Sequence, residues 1–151
     1  MGVPSMMRLM KSTSEECPPF SPPFLNHPIA GGLYYKDQML EAAARAKDFH
    51  EHRLPKFLGY FDRVLEQNPH NSGYLAGDAM SYVDMSIFQL VEGLRYAFPT
   101  AMKRIESKHT ELVKLHDRIA NHPPVARYLA SERRIPFNDM EISRHYPELD
   151  K

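Results

Sequence analysis

A long helix that is apolar on almost every side must lie at the centre of the domain that contains it, and this chain carries one. Residues 77–99 read GDAMSYVDMSIFQLVEGLRYAFP. Ser81 is placed as an N-cap, its hydroxyl accepting a backbone N–H of the first turn. Asp84, three residues on, is placed to accept the N–H of Ser81, which makes a capping box with Asp in the usual Glu position. Met80 before the cap and Met85 after it have the spacing of a hydrophobic staple. Tyr82, Val83, Met85, Ile87, Phe88, Leu90, Val91, Leu94, Ala97 and Phe98 leave no wide polar face. Such a helix is a buried one, so the stretch predicts the central helix of an all-α core, running from the Ser81 cap to Phe98 and stopped by Pro99.

Composition narrows the class. The chain has 151 residues with 19 basic and 19 acidic side chains, enough length for one domain with a real core. Charge balance argues against a nucleic-acid footprint or an anionic membrane surface. The single cysteine, Cys17, excludes an internal disulfide and fits a reducing, cytoplasmic setting. No apolar run reaches the roughly 20 residues a membrane span needs, and the N-terminus reads as no secretory signal.

Along the chain, residues 1–32 read as an irregular proline-rich arm, densest at PPFSPPF, residues 18–24. Proline lacks an N–H and fixes φ, so neither a long helix nor an inner strand passes through it. Residues 33–151 read as the helical domain. Tyr34 to Asn68 forms a long helical segment in which EAAARAK has strong intrinsic propensity. Leu54, Phe57, Leu58, Phe61, Val64 and Leu65 make one apolar face. Pro55 removes one hydrogen bond and predicts a kink near Glu51 to Leu54. Glu92 and Arg95, three apart, are spaced to pair on the surface of the central helix. A helix from Thr110 to Ala120, with Thr110 as cap, presents Leu112, Leu115 and Ile119. Another starts at Pro123-Pro124 and turns Val125, Tyr128 and Leu129 inward. The tail from Arg133 wraps the surface.

Chemistry is harder to find. Eight histidines raise a metal reading, but His50 and His52 diverge on a helix, and no HExxH or Cys/His spacing is present. Solvated surface histidines are the plainer reading. The glycines form neither GxGxxG nor a P-loop. Cys17 lies beside Glu15 and Glu16, which disfavour a thiolate. Ser81 and Asp84 are capping residues rather than members of a triad. No catalytic, cofactor-binding or metal residue is assigned.

The stretch GYLAGDAMSYVDMSIFQLVEGL resembles the signature of the C-terminal domain of cytosolic glutathione S-transferases, carried here by Tyr74, Leu75, Gly77, Asp78, Ser81 and Asp84. RLPKFLGYFDRVLEQNP before it and PVARYLASERR after it are similar to the same family, and the resemblance covers roughly Leu33 to Lys151. It is to sigma-like or alpha/mu/pi-type members. Val83 departs from the family's usual alanine. The resemblance implies an all-α helical bundle of the glutathione S-transferase C-terminal type behind the proline-rich arm.

It also implies a thioredoxin-like domain ahead of the helices, with a thiol-activating residue, a cis-proline and an acidic or amide residue followed by Ser or Thr. Ser14-Glu15 has the reverse order and precedes the proline run. PPFSPPFL looks like the approach to the third strand of that domain, and NHPIAGGLYYKDQ looks like the end of the first helix of the C-terminal domain. These readings together predict an internal deletion near Leu25 to His27, hence a truncated protein without its own glutathione site. The family reaction, attack of glutathione thiolate on an electrophile, has glutathione as co-substrate and needs no further cofactor. The expected partner is a second copy or a full-length family member, in a homodimer or heterodimer, with no nucleic acid and no membrane. The alternative is a non-catalytic helical interaction module, offering Leu33, Tyr34, Tyr35 and parts of the 54–65 face as uncovered apolar surface.

Overall fold

The structure, a computed structural model, describes residues 28–139 and 143–151. The proline run, Cys17, Ser14-Glu15 and the junction at Leu25 to His27 lie outside the described residues. Within them there are helices and turns and no strand.

The chain enters through a short 3-10 turn at Tyr35–Gln38. Gln38 has no exposed surface and organises the entry. Its Oε1 accepts the Ile29 N–H at 3.0 Å and its Nε2 donates to the Ala30 and Leu33 carbonyls at 3.1 and 3.2 Å. Helix α1 (Met39–Asp48) buries Ala42 and Ala46, one turn apart. Helix α2 (Leu54–Glu66) follows through a π-helical turn at Phe49–Arg53. Pro55 is the cause: it cannot donate to the carbonyl four residues back, and its ring crowds that carbonyl. A wider turn before the proline relieves both. The kink predicted near Glu51 to Leu54 falls on this π turn between the two helices.

Leu54, Leu58, Phe61 and Leu65 of α2 are all buried. The 54–65 face, parts of which were expected as uncovered surface, is mostly core, because α5 packs along it. The loop after α2 turns on Asn68, whose Nδ2 donates to the Tyr74 carbonyl at 2.7 Å and the Gly77 carbonyl at 2.8 Å. Asn71, Gly73 and Gly77 take positive φ there.

Helix α3 (Tyr82–Ala97) is the central element, packed on both α4 (Pro99–Ile105) and α5 (Thr110–Ala120). It buries Ile87, Phe88, Val91, Leu94 and Ala97. Its apolar surface is not covered all round: Tyr82 is 71% exposed and Met85 37%. It ends one residue before Phe98, and Pro99, read above as a stop, also starts α4 as its first residue. That helix was not anticipated; its Ala101, Met102 and Ile105 are buried. Helix α5 has the predicted bounds, but its N-cap is His109 and not Thr110. Helix α6 (Pro123–Leu129) buries Val125 and half-buries Leu129, whereas Tyr128 points out, half exposed.

The last residues close the molecule. Leu149 and Asp150 are buried. Asp150 accepts the N–H groups of Thr100 and Ala101 at 2.7 and 2.9 Å, which caps α4 from the far end of the chain. Tyr146 packs on Tyr35 with ring centroids 4.5 Å apart. The Tyr35 hydroxyl donates to Glu148 at 2.8 Å. The end of the tail is anchored in the core through Leu149 and Asp150, whereas its other described residues lie exposed or half-buried on the surface, as expected.

Candidate functional site

Four groups of polar side chains in the described residues could carry chemistry. The first surrounds Asp84, which has no exposed surface. Its Oδ2 accepts the Ser81 N–H at 2.8 Å and the Ser81 hydroxyl at 2.7 Å, and its Oδ1 accepts the Leu75 N–H at 2.8 Å. Ser81 and Asp84 form a reciprocal capping box at the start of α3. Asp84 also reaches further than the local pattern requires, because Leu75 belongs to the preceding loop. Met80 is half-buried against the core, and Met85 lies on the exposed side of the first turn.

The second group joins α2 to α5. Asp62 Oδ1 accepts the Leu112 N–H at 2.9 Å, and His109 Nδ1 lies 2.6 Å from Asp62 Oδ2. An acid–histidine pair can orient a general base, but here the same carboxylate caps the first turn of α5. The third group lies on the other side of α5. His116 stacks on Phe88 at 4.9 Å and contacts Glu92 at 2.9 Å and Asp117 at 3.0 Å. Glu92 also binds Arg134 at 2.9 Å, and Arg95 pairs with Glu106 at 2.6 Å. Glu92 and Arg95 therefore bond to other elements instead of to each other, tying α3 to the turn after α4, to α5 and to the tail. His50, His109 and His116 are buried, not the solvated surface histidines expected. Among the described residues no group of three or more His, Cys, Asp or Glu is placed to hold a metal.

The fourth group is a cleft of about 700 Å³ between α1, the π turn, the end of α4 and the C-terminal turn. Lys47, Arg104, Lys108 and Lys151 line it, opposed by Glu51 and Glu148. His50 forms part of the wall with 4% of its surface exposed. Its Nε2 has no hydrogen-bond partner among the described residues, and its ring meets Phe98 edge-on at 4.6 Å. Burial lowers its pKa from the ordinary imidazole value; nearby Asp150 opposes that shift and Arg104 adds to it. At the rim, burial and the bond to Glu148 raise the Tyr35 pKa. Glu148 is shifted down, mainly by a backbone hydrogen bond and then by the Tyr35 hydroxyl.

The arrangement of helices, with a capped central α3 behind a Gly-Asp turn, is matched at the level of sequence. The family model for the glutathione S-transferase C-terminal domain matches residues 25–132, more than half of the chain. The chain belongs to the glutathione S-transferase C-terminal domain family. Relatives agree. A glutathione S-transferase of Plasmodium yoelii yoelii is 31% identical over 86 residues, 56% of this chain and 38% of that protein. One from Plasmodium falciparum (isolate 3D7) is 28% identical over 85 residues, 53% of this chain and 38% of that protein. Glutathione S-transferase P 2 of Bufo bufo is 31% identical over 107 residues, 70% of this chain and 49% of that protein. The chain thus spans less than half the length of these curated relatives. The chain has no helix, among the described residues, long and apolar enough to cross a membrane.

Sequence reasoning named the capping pair but missed the tertiary cap at Asp62 and the cleft around His50. Asp62 is a single acid on the polar edge of an amphipathic helix, and its partners are 47 and 50 residues away. The cleft draws on three separate parts of the chain. No local spacing encodes either.

Proposed function

We propose that this protein acts within the family reaction, the conjugation of glutathione thiolate to electrophiles, by contributing the helical domain. The family match over residues 25–132 carries that reading. In it, glutathione is a co-substrate, no other cofactor takes part, and the setting is the cytoplasm. Ser81 and Asp84 are given a structural role, because all three hydrogen bonds at the Asp84 carboxylate hold the loop and cap around α3. The acids beside His109 and His116 likewise join helices. We assign ionisation of the glutathione thiol to a thioredoxin-like domain and not to any described residue, with a full-length family member or a second copy as the partner. Thiolate attack needs the thiol ionised and the electrophile held beside it.

The test is a thiol-conjugation assay with 1-chloro-2,4-dinitrobenzene, joined to retention on glutathione resin. The purified chain alone should neither turn over nor be retained, and it should be retained once mixed with a full-length family member. Turnover by the chain alone would refute the division of labour. A second reading, a non-catalytic interaction module, is favoured by one observation. Ile29, Leu33, Tyr34, Met39 and Leu40 are all exposed around the entry to α1, Tyr34 at 83% and Leu40 at 84%. Contiguous apolar surface of this kind marks contact sites. A chain captured by a defined protein that carries no transferase activity would favour this second reading.

A further inference from the structure

We propose that Asn71, in the loop between α2 and α3, is a site of spontaneous deamidation, closed to a succinimide by the backbone nitrogen of Ser72, and that the isoaspartate so formed loosens the cap of α3. The inference does not depend on the transferase reading. The first support is access. Asn71 is exposed, and its side-chain amide makes no hydrogen bond among the described residues. The attacking group, the Ser72 N–H, makes none there either, because the bonds of Ser72 all run through its hydroxyl. The second support is the contrast with the other described asparagines. Asn68 precedes Pro69, which has no N–H to attack with, and its amide is committed to Ser72, Tyr74 and Gly77. The Asn121 amide donates to the Asp117 carbonyl at 2.8 Å, and the next N–H, that of His122, donates to the Ile119 carbonyl at 3.0 Å. Asn138 is half-buried and donates to the Pro136 carbonyl at 3.4 Å. Among them, Asn71 alone has both the amide and the attacking nitrogen unengaged. The third support is the backbone. Asn71 has φ +46°, in the left-handed region that asparagine tolerates and most residues do not. The turn therefore keeps a reactive amide for a conformational reason.

The chemistry needs water and no other reagent. The Ser72 nitrogen loses its proton to solvent base and bonds to Cγ of Asn71, and the bond from Cγ to the side-chain nitrogen breaks, releasing ammonia. Water then opens the five-membered imide. Opening at Cγ leaves aspartate; opening at the backbone carbonyl leaves isoaspartate, in which the chain runs through Cβ and Cγ. Isoaspartate adds a methylene to the backbone at a point where length matters. Asn71 donates its N–H to the Asn68 carbonyl at 2.9 Å, so the added atom separates Asn68 from Ser72. The bonds from Asn68 and Ser72 to the Gly77 carbonyl, both 2.8 Å, fix the loop. That loop presents the Leu75 N–H to Asp84 at the start of α3. A change at Asn71 is therefore read at the cap of the central helix.

The test is to age the purified whole chain in mildly alkaline and in mildly acidic buffer. Samples are digested under acidic conditions and mapped by mass spectrometry with electron-based fragmentation, which separates isoaspartate from aspartate. Conversion at Asn71 should exceed that at Asn121 and Asn138 at least several-fold, and should rise in proportion to hydroxide. In urea the advantage over Asn121 should shrink, since unfolding frees the His122 N–H. Asn71→Gly keeps the left-handed turn and removes the amide, so it should fold and gain no isoaspartate in the loop. The aged fraction, separated by its added negative charge, should melt below the parent and lose exchange protection at the Leu75 amide. Asn71→Asp, which has the charge without the extra methylene, should keep that protection. Conversion in the folded chain no faster at Asn71 than at Asn121, or selectivity unchanged in urea, would overturn the site. An isoaspartate fraction with parental melting and parental protection at Leu75 would overturn the coupling to the cap.

Discussion

At Asp84 three donors meet one carboxylate with no exposed surface. Replacing it with alanine removes the acceptor but leaves the Leu75 and Ser81 N–H groups where water does not easily reach. The cost then exceeds that of an ordinary exposed cap, about 1 kcal/mol. It should approach 2–4 kcal/mol, because orphaned buried donors carry their own desolvation penalty. Urea unfolding of Asp84→Ala against the parent measures this, and a parental midpoint would mean that the carboxylate stabilises nothing. His50 gives a second prediction at this scale. Its pKa is held below the ordinary value of 6.5 by burial, so the unfolded chain takes up the proton first as pH falls. The neutral, buried ring is compatible with the fold above the unfolded pKa, and its contribution is lost as pH drops towards the folded value. Stability should therefore decline below about pH 6.5, and His50→Gln should decline less over the same interval. A parallel loss in both proteins would show that the acid sensitivity lies elsewhere.

The helices of this domain are held in place by caps that come from other elements. Asp62 of α2 caps α5, and Asp150 of the tail caps α4. Asp62→Ala leaves the Leu112 N–H and His109 without their partner and should destabilise by about 2–3 kcal/mol, with the larger effect on unfolding of α2 and α5 together. Hydrogen exchange at the first-turn amides of α5 checks it; unchanged protection at Leu112 would contradict the assignment. Gly73 tests the loop. It has φ +73°, and a Cβ there would collide with the Arg118 guanidinium, which also donates to the Gly73 carbonyl. Gly73→Ala should cost about 1 kcal/mol for the left-handed backbone alone, plus the displacement of Arg118 from its place over the Tyr74 ring. A thermal transition within error of the parent would show that the loop shifts freely.

Over the whole molecule, what could be read in the sequence divides by range. The start of α3, the bounds of α5 and the proline start of α6 are local patterns. Capping chemistry, apolar spacing and the missing N–H of proline act within a few residues, and sequence order displays them directly. The short helix α4 was missed because Pro99 serves as both stop and start, and a seven-residue element has too little periodicity to announce itself. The side of a helix that is covered, as for Tyr128, Tyr82 and the 54–65 face, depends on which neighbour arrives. The cleft and the buried histidines have the same origin. The C-terminal turn is the clearest case, since nothing local in RHYPELDK signals that it closes the structure.

That closure leads to the last prediction. Leu149 is buried, Asp150 caps α4, Glu148 holds Tyr35, and His145 Nδ1 lies 3.0 Å from the Ala97 carbonyl at the end of α3. A chain ending before residue 143 loses these contacts at once, uncovering one flank of α1 and leaving the first N–H groups of α4 without an acceptor. Loss of one buried leucine costs about 2–4 kcal/mol and loss of a cap about 1 kcal/mol, a large share of the 5–15 kcal/mol that holds a domain of this size. The shortened chain should have a midpoint lower by well over 10 °C, and exchange protection should fall first at Ala42 and Ala46 of α1. Tyr35→Phe removes the bond to Glu148 and should cost about 1 kcal/mol, so the two variants should differ several-fold. If they were equal, the tail would be held through Tyr35 alone, and the burial of Leu149 and the cap at Asp150 would contribute nothing to stability.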